Sequence, residues 1–409
     1  MDVLNRLLTK VILSLTAIAS TGITAQENSF TVYTQASVTY EDNLFKIDDS
    51  LELTNTVLEG RRLSDSITSI DTGAEFGYTL SKQRFTLNAF IGKDQYSQNS
   101  QYDNDNEIFN ATWNWYATKI ISGALQFQQD ERLANFTDNF QAAVLASQIK
   151  NKKYQLTTDI KLHSRLNAKV TVSKHETRYS NENLASNDKD NRYVQLAIVY
   201  KSYAQNTLSI NASRQQVDYL NRLFQIGDTI DNEYLLSTIG LSSSYQYSGT
   251  THLSFRLAWE KLEPKNISTQ SIWDFSNIGY NFSYNWTPSP KLRVKFLLTN
   301  EVSPSENVNA NFQRSKKAGV TSNWQVLTKT YLTLELTKEN RELELNPQTN
   351  NIIGATSENA YENANIGLVY EANSNLDLKL AYQFSSRRSD RAANDFDSNT
   401  TYATLVVTF

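Results

Sequence analysis

Residues 291–298 read Lys291-Leu292-Arg293-Val294-Lys295-Phe296-Leu297-Leu298. Apolar side chains at 292, 294, 296 and 298 alternate with cations at 291, 293 and 295. A chain whose side chains change sides at every residue is a β-strand, here with one face for an apolar medium and one for water. The period recurs along the sequence. Phe30, Val32, Ala36, Val38 and Tyr40 keep one phase, as do Tyr154, Leu156, Ile160 and Leu162, and again Leu332, Leu334 and Leu336. No stretch after the first 25 residues keeps a helical period for long.

About 18 such segments can be counted, near 29–41, 67–80, 84–95, 107–118, 121–130, 152–162, 165–178, 192–202, 206–215, 233–248, 251–262, 275–287, 291–301, 314–326, 330–340, 359–371, 375–386 and 398–409. They exceed the usual strand of a soluble protein and reach the roughly 9–11 residues that a tilted strand needs to cross a bilayer. Their connections alternate in length. Short ones such as Ser81–Gln83, Gly249–Thr250 and Pro288–Pro290 are followed by long ones rich in Asn, Asp, Ser and Glu. Outer-membrane barrels pair short periplasmic turns with long external loops, so both termini are expected in the periplasm.

Aromatic residues give a third signal. Tyr78, Trp115, Tyr200, Tyr247, Trp286, Trp324, Tyr370 and Phe409 share the outward phase at the periplasmic ends of their segments. Amphipathic rings favour the headgroup level, so these residues predict an aromatic girdle. The expected fold is all-β: a single transmembrane antiparallel barrel of about 18 strands, integral to a bacterial outer membrane. Closure follows because lipid offers no partner to an open sheet edge. Barrels of 16–18 strands leave an aqueous channel.

Composition removes other classes. The 409 residues include no Cys, one Met and three His, so thiol chemistry is absent and little material remains for a metal or haem centre. Lys and Arg number 39 against 43 Asp and Glu, a balance without the basic drive that nucleic-acid binding requires. Mean hydropathy is −0.50, which argues against helical spans. Residues 1–25 read as a signal peptide: Arg6 and Lys10, an apolar run from Val11 to Ser20, then a cut after Ala25. The barrel is then expected over residues 26–409.

His163, His175 and His252 are scattered and no GxSxG occurs, so the sequence predicts no enzyme, no catalytic residue and no cofactor. The lumen is the expected functional surface. Inward-phase cations are Lys169, Arg256, Lys291, Arg293, Lys295 and Lys317, with Lys291, Arg293 and Lys295 forming a column. Asp71, Glu75, Asp159, Lys161, Glu260, Asp377 and Lys379 share the inward phase, so the cations could instead brace the wall as ion pairs. Inward Tyr33 and Tyr193 offer rings for stacking on sugar faces. In the third external loop, Leu133, Phe136, Phe140 and Val144 fit an apolar helical stripe. Asn139, Phe140 and Val144 therefore mark a candidate constriction or a cap on the outer rim.

The first segment ends in Tyr40-Glu41-Asp42-Asn43-Leu44-Phe45-Lys46. This resembles the opening of the EpsL-like outer-membrane proteins of bacterial exopolysaccharide clusters, as do Trp113-Asn114-Trp115 and the aromatic final strand. The resemblance implies export of exopolysaccharide, with the polymer as substrate and periplasmic co-polymerase or export proteins as partners. It carries over no catalytic residue. Read from the residues alone, Asp42 and Asn43 would end the strand by bonding nearby backbone N–H groups in an Asx-type turn. Terminal Phe409, in phase with Ala403, Leu405 and Val407, fits the signal read by the barrel assembly machinery, and lipid is the other expected partner. Two further functions remain open: a passive diffusion porin for sugars or small anions, and a barrel enzyme acting on lipid or envelope polymer.

Overall fold

The computed structural model describes residues 28–48, 62–134, 136, 145–222, 231–266, 275–305, 310–345, 358–390 and 395–409. Residues 1–25, read as a signal peptide, lie outside these, as do Asn139, Phe140 and Val144. Eighteen strands follow in chain order: β1 (Ser29–Glu41), β2 (Asp65–Leu80), β3 (Gln83–Tyr96), β4 (Asn104–Tyr116), β5 (Ile121–Leu133), β6 (Gln148–His163), β7 (Leu166–Tyr179), β8 (Lys189–Lys201) and β9 (Thr207–Tyr219). The second half holds β10 (Glu233–Ser248), β11 (Thr251–Pro264), β12 (Phe275–Ser289), β13 (Leu292–Pro304), β14 (Ala310–Leu327), β15 (Thr330–Leu345), β16 (Glu358–Asn373), β17 (Leu376–Ser389) and β18 (Phe396–Thr408).

Each strand pairs antiparallel with its chain neighbours, and β1 pairs with β18 as well as β2. Tyr33 opposes Thr408 and Glu41 opposes Thr400, so the ring is closed and the sheet has no edge. A circular barrel with this strand number measures roughly 35 Å across between backbones, from the usual strand spacing and tilt. The chain is an integral outer-membrane barrel with short periplasmic turns.

The alternation seen in the sequence is the alternation of the wall. Val38, Leu156, Ile210, Leu298 and Leu380 are exposed on the outside. Cross-strand neighbours keep the phase, as in Phe85 opposite Trp113 and Tyr284 opposite Phe296. The girdle residues Tyr200, Tyr247, Trp286, Trp324, Tyr370 and Phe409 are likewise exposed at the periplasmic end.

Several strands run further outward than the apolar pattern indicates. β5, β6, β9, β14 and β15 are each longer by three to five residues at that end. The apolar stripe stops there because charged pairs replace it on the outer surface. Lys316 Nζ lies 2.8 Å from Glu342, Lys338 Nζ 2.7 Å from Glu362, and Arg388 Nη2 2.8 Å from Asp397. Hydrogen-bonded strand continues where lipid does not, and such exposed pairs add little stability.

Two expectations are corrected. Lys291 is not on a strand but in the turn between Ser289 and Leu292, so the column of three cations is a pair, Arg293 and Lys295, with Lys291 on the rim. Leu133 is the last residue of β5, and Gln148 and Ile149 already belong to β6. Any helical stripe in the third external loop is therefore shorter than the sequence indicated, since ladder pairing with β6 holds Leu133 extended opposite Gln148.

Candidate functional site

Lys169, Tyr193 and Arg256 come together on one arc of the inner wall. They line a recess of about 640 Å³ with Thr157, Asn211 and Ser242. Strand alternation explains the polarity, because every second residue of β6 to β12 points inward and about half of those are Ser, Thr, Asn or Gln. The hydroxyls also bond one another: Ser209 and Ser242 are 2.8 Å apart. Arg256 is braced, its Nη2 donating to Glu260 at 3.2 Å. Glu260 in turn lies over Gly279, where an added Cβ would overlap its carboxylate.

Tyr33 is elsewhere, on β1. Its ring covers Gly73 of β2 and reaches towards Phe90 of β3, with centroids 6.5 Å apart. Next to it, Asp71, Asp94 and Asp130 line a second recess of about 550 Å³ with Phe90, Ile108 and Arg132. This acidic sector on β2 to β5 lies about half a circumference from β13 and β14, which carry Arg293, Lys295 and Lys317.

Among the described residues Lys169, Arg293, Lys295 and Lys317 form no salt bridge. Register sets Lys317 beside Glu339, but that carboxylate accepts from Arg341 Nε and Ser315 Oγ, each at 2.7 Å. The bracing expected of the wall thus holds for Arg256 and not for these four. Cations collect near the periplasmic end. Within four residues of that end, the inward positions hold Arg84, Lys161, Lys169, Lys201, Arg293 and Lys295, together with Lys379. The carboxylates there are Glu371, Asp377 and Asp159, the last in register opposite Lys169.

The outer mouth is built differently. Leu44, Phe45, Ile47 and Leu63 from the loop after β1 pack with Tyr102 from the loop after β3, Ala134 and Phe136 after β5, and Leu184 after β7. Lumen-phase Ile67, Tyr96, Ile149 and Tyr179 join them, so the described parts of four loops fold inward over β2 to β7 as a lid. Phe45 is 0% exposed and meets Tyr102 at 5.8 Å, edge to face. Asp65 is the polar brace: its carboxylate accepts from the backbone N–H groups of Ser66, Gln98 and Asn99 at 2.7, 3.0 and 2.9 Å. A second cluster, of Val217, Tyr219, Tyr234, Leu262, Val302 and Phe312, sits over β9 to β14. There β13 leaves its pairing with β12 above Asn300, and Tyr219 Oη donates to the carbonyl of Ser305 at 2.9 Å.

The motif at the end of β1 belongs to this lid and to the barrel seam. Asn43 donates from Nδ2 to the carbonyls of Ile47 and Asp397, and its Oδ1 accepts from Ile47 N–H. That is the local turn expected of it. Asp42 differs from expectation: it accepts from Asn399 N–H and Nδ2, both at 2.7 Å, across to β18. Closure puts Asn399 nearer than the turn's own amides. Glu41 pairs with Lys46, Leu44 N–H donates to Leu63 at 2.7 Å, and Tyr40 faces outward.

Sequence reasoning missed the lid, because its residues are scattered from 44 to 184; large aromatics inside polar loops were the available signal. It also missed inward Phe90 and Ile108. His163 accompanies Ser164 at the periplasmic end of β6, His252 contacts Ser244 on the neighbouring strand, and His175 lies towards the outer end of β7. No group of three or more potential metal ligands occurs among the described residues.

Residues 265–409 match the model of a family described as "Putative beta-barrel porin 2". No curated protein matches the sequence. Among solved structures the chain is similar to OccK2 (OpdF) of Pseudomonas aeruginosa, with a TM-score of 0.51 and 9% identity over 94% of this chain and 98% of that one. It is also similar to the FrpB iron transporter of Neisseria meningitidis, with a TM-score of 0.50 and 10% identity over 89% of this chain and 64% of that one. Likeness at such identities is a likeness of fold.

Proposed function

We propose that this chain is a passive diffusion porin whose lumen favours small anionic solutes. The carrying observation is the set of inner-wall cations that form no salt bridge among the described residues: Lys169, Arg293, Lys295 and Lys317. Cations held in a low-dielectric wall raise the local concentration of anions, and rings of charged side chains set selectivity in pores. The porin family match supports this reading, since residues 265–409 contain three of the four cations. The hydroxyl-rich recess around Tyr193 suits solutes that exchange hydrogen bonds with water, sugars included.

Export of exopolysaccharide rests on the resemblance at Tyr40–Lys46. Within that motif Asn43, Asp42 and Phe45 are engaged by the turn, the seam and the lid, so the motif needs no polymer to account for it.

The test is conductance in planar bilayers under a KCl gradient. The purified barrel should conduct, with a reversal potential of the sign that chloride preference sets. Arg293→Glu with Lys295→Glu should move the reversal potential towards cation preference. A barrel that does not conduct would remove the porin reading, and cation preference in the unaltered protein would remove the anionic one. Loss of secreted polymer with periplasmic build-up in a deletion strain would restore the export reading.

A further inference from the structure

The periplasmic rim repeats the sign of the inner wall above it. Eight short turns close this end of the barrel, and five carry a cation: Lys82, Lys119, Arg165, Lys291 and Lys329. None carries an acid. The chain as a whole has more Asp and Glu than Lys and Arg, 43 against 39, so the rest of the molecule holds the balancing acid. The barrel is therefore polarised along its axis, basic at the periplasmic mouth.

These cations are presented and not neutralised. Lys82, Lys119, Lys291 and Lys329 are exposed, and among the described residues none of the five forms a salt bridge. Arg165 is positioned by its neighbour turn, its guanidinium carbon 3.2 Å from the centroid of the Tyr203 ring, which is itself 84% exposed. Lys329 Nζ donates to the carbonyl of Ala372 at 2.7 Å, a bond that fixes the side chain without cancelling its charge. Lys82, Lys119 and Arg165 occupy successive turns, roughly 12 Å apart along the rim from strand spacing and tilt. Inside the mouth lies the second tier already described, led by Arg293 and Lys295.

We propose that the periplasmic mouth docks an acidic polymer, a chain bearing repeated carboxylate, sulfate or phosphate groups, and draws its end into the lumen. Two stacked tiers of cations favour such a partner. A small anion would use one tier at a time, whereas a polyanion engages the rim and the inner wall together, and linked sites strengthen each other. Inner-leaflet phospholipid headgroups could reach the turn cations, but not the inner-wall tier, which faces water inside the barrel. The docking claim stands apart from the porin reading, because binding can be measured without conduction.

The experiment uses fluorescein-labelled poly-L-glutamate, with neutral dextran as control, and anisotropy on the folded full-length barrel in detergent. Binding should be saturable, absent with dextran, and weakened as salt shortens the reach of each charge. Lys82→Glu, Lys119→Glu, Lys291→Glu and Lys329→Glu combined should weaken it at least tenfold; the Lys→Gln version should fall between and serves if the charge-reversed protein does not fold. Arg293→Glu with Lys295→Glu should weaken it as well. Undiminished binding in the turn variants would overturn the proposal. So would loss of binding in nanodiscs containing phosphatidylglycerol when it persists in phosphatidylcholine, which would give the rim to lipid headgroups. In oriented bilayers poly-L-glutamate should block current from the periplasmic side only, and equal block from both sides would count against docking. A barrel that binds but never conducts sinks the porin reading alone; one that conducts but never binds sinks this inference alone.

Discussion

Phe45 and Phe136 meet edge to face with ring centroids 5.0 Å apart and planes at 82°, joining the first and third external loops at the centre of the lid. Tyr102 closes the triangle at 5.5 Å from Phe136. Lid and wall are held by different forces, aromatic packing in one and ladder hydrogen bonds in the other. Phe45→Ala should cost the lid about 3–5 kcal/mol, the range for a buried Phe truncated to Ala. Hydrogen exchange should quicken at 42–48 and 97–103 while wall amides stay protected. Uniform protection across both regions would show that the ring does not hold the loops.

Asp42 is, among the described residues, the only charged acceptor for Asn399 and serves both its backbone N–H and its side-chain amide. Asp42→Ala leaves those donors without the carboxylate near the point where the ring closes. The expected loss is about 1–3 kcal/mol in urea unfolding of the lipid-embedded barrel. Asp42→Asn, which keeps an acceptor oxygen, should lose less.

Depth in the membrane separates two outward positions on β13. Val294 opposes the girdle residue Trp286, whereas Leu298 opposes Phe282, higher on the wall. Leu298→Arg should destabilise by about 2–4 kcal/mol and Val294→Arg by about 0–1, the midplane and interfacial costs of a lipid-facing arginine. Inward Arg293→Ala should leave folding unchanged. Equal losses at 294 and 298 in lipid unfolding titrations would misplace the apolar band.

Two glycines make a sharper pair. At Gly123 an added Cβ would overlap the Thr157 carbonyl and the Trp115 ring, but at Gly249 nothing lies within 4 Å. Gly123→Ala should cost about 1–3 kcal/mol through overpacking. Gly249→Ala should be neutral or stabilise by about 0.4–1 kcal/mol through the unfolded chain. Thermal unfolding of the two variants checks both signs.

The wall was legible because lipid and water force a period of two that survives any substitution keeping polarity, as Leu292 to Leu298 illustrate. All eighteen segments correspond to strands, and the turn cations were readable once the turns were placed. The outer strand ends were not, since pairs such as Lys316 with Glu342 satisfy a strand without leaving an apolar stripe. Nor was the lid: Leu44, Tyr102 and Leu184 carry no shared spacing, and only the folded loops bring them together. Inward phase puts Lys169, Tyr193 and Arg256 on the inner wall, where they line one recess, but could not tell which cation finds a carboxylate. Arg256 reaches Glu260 because the two lie on the same face of one strand, whereas Lys317 loses Glu339 to Arg341.

Pairing of Tyr33 with Thr408 has a consequence for how the molecule comes into being. The first strand of the barrel is one wall of a joint whose other wall is the last strand, so β1 has one side unpaired until β18 is in place. Joining the ends closes the longest loop the sequence allows, and contacts of such separation slow folding. Until that moment an unpaired strand invites aggregation. The barrel is therefore complete only when its first and last strands meet.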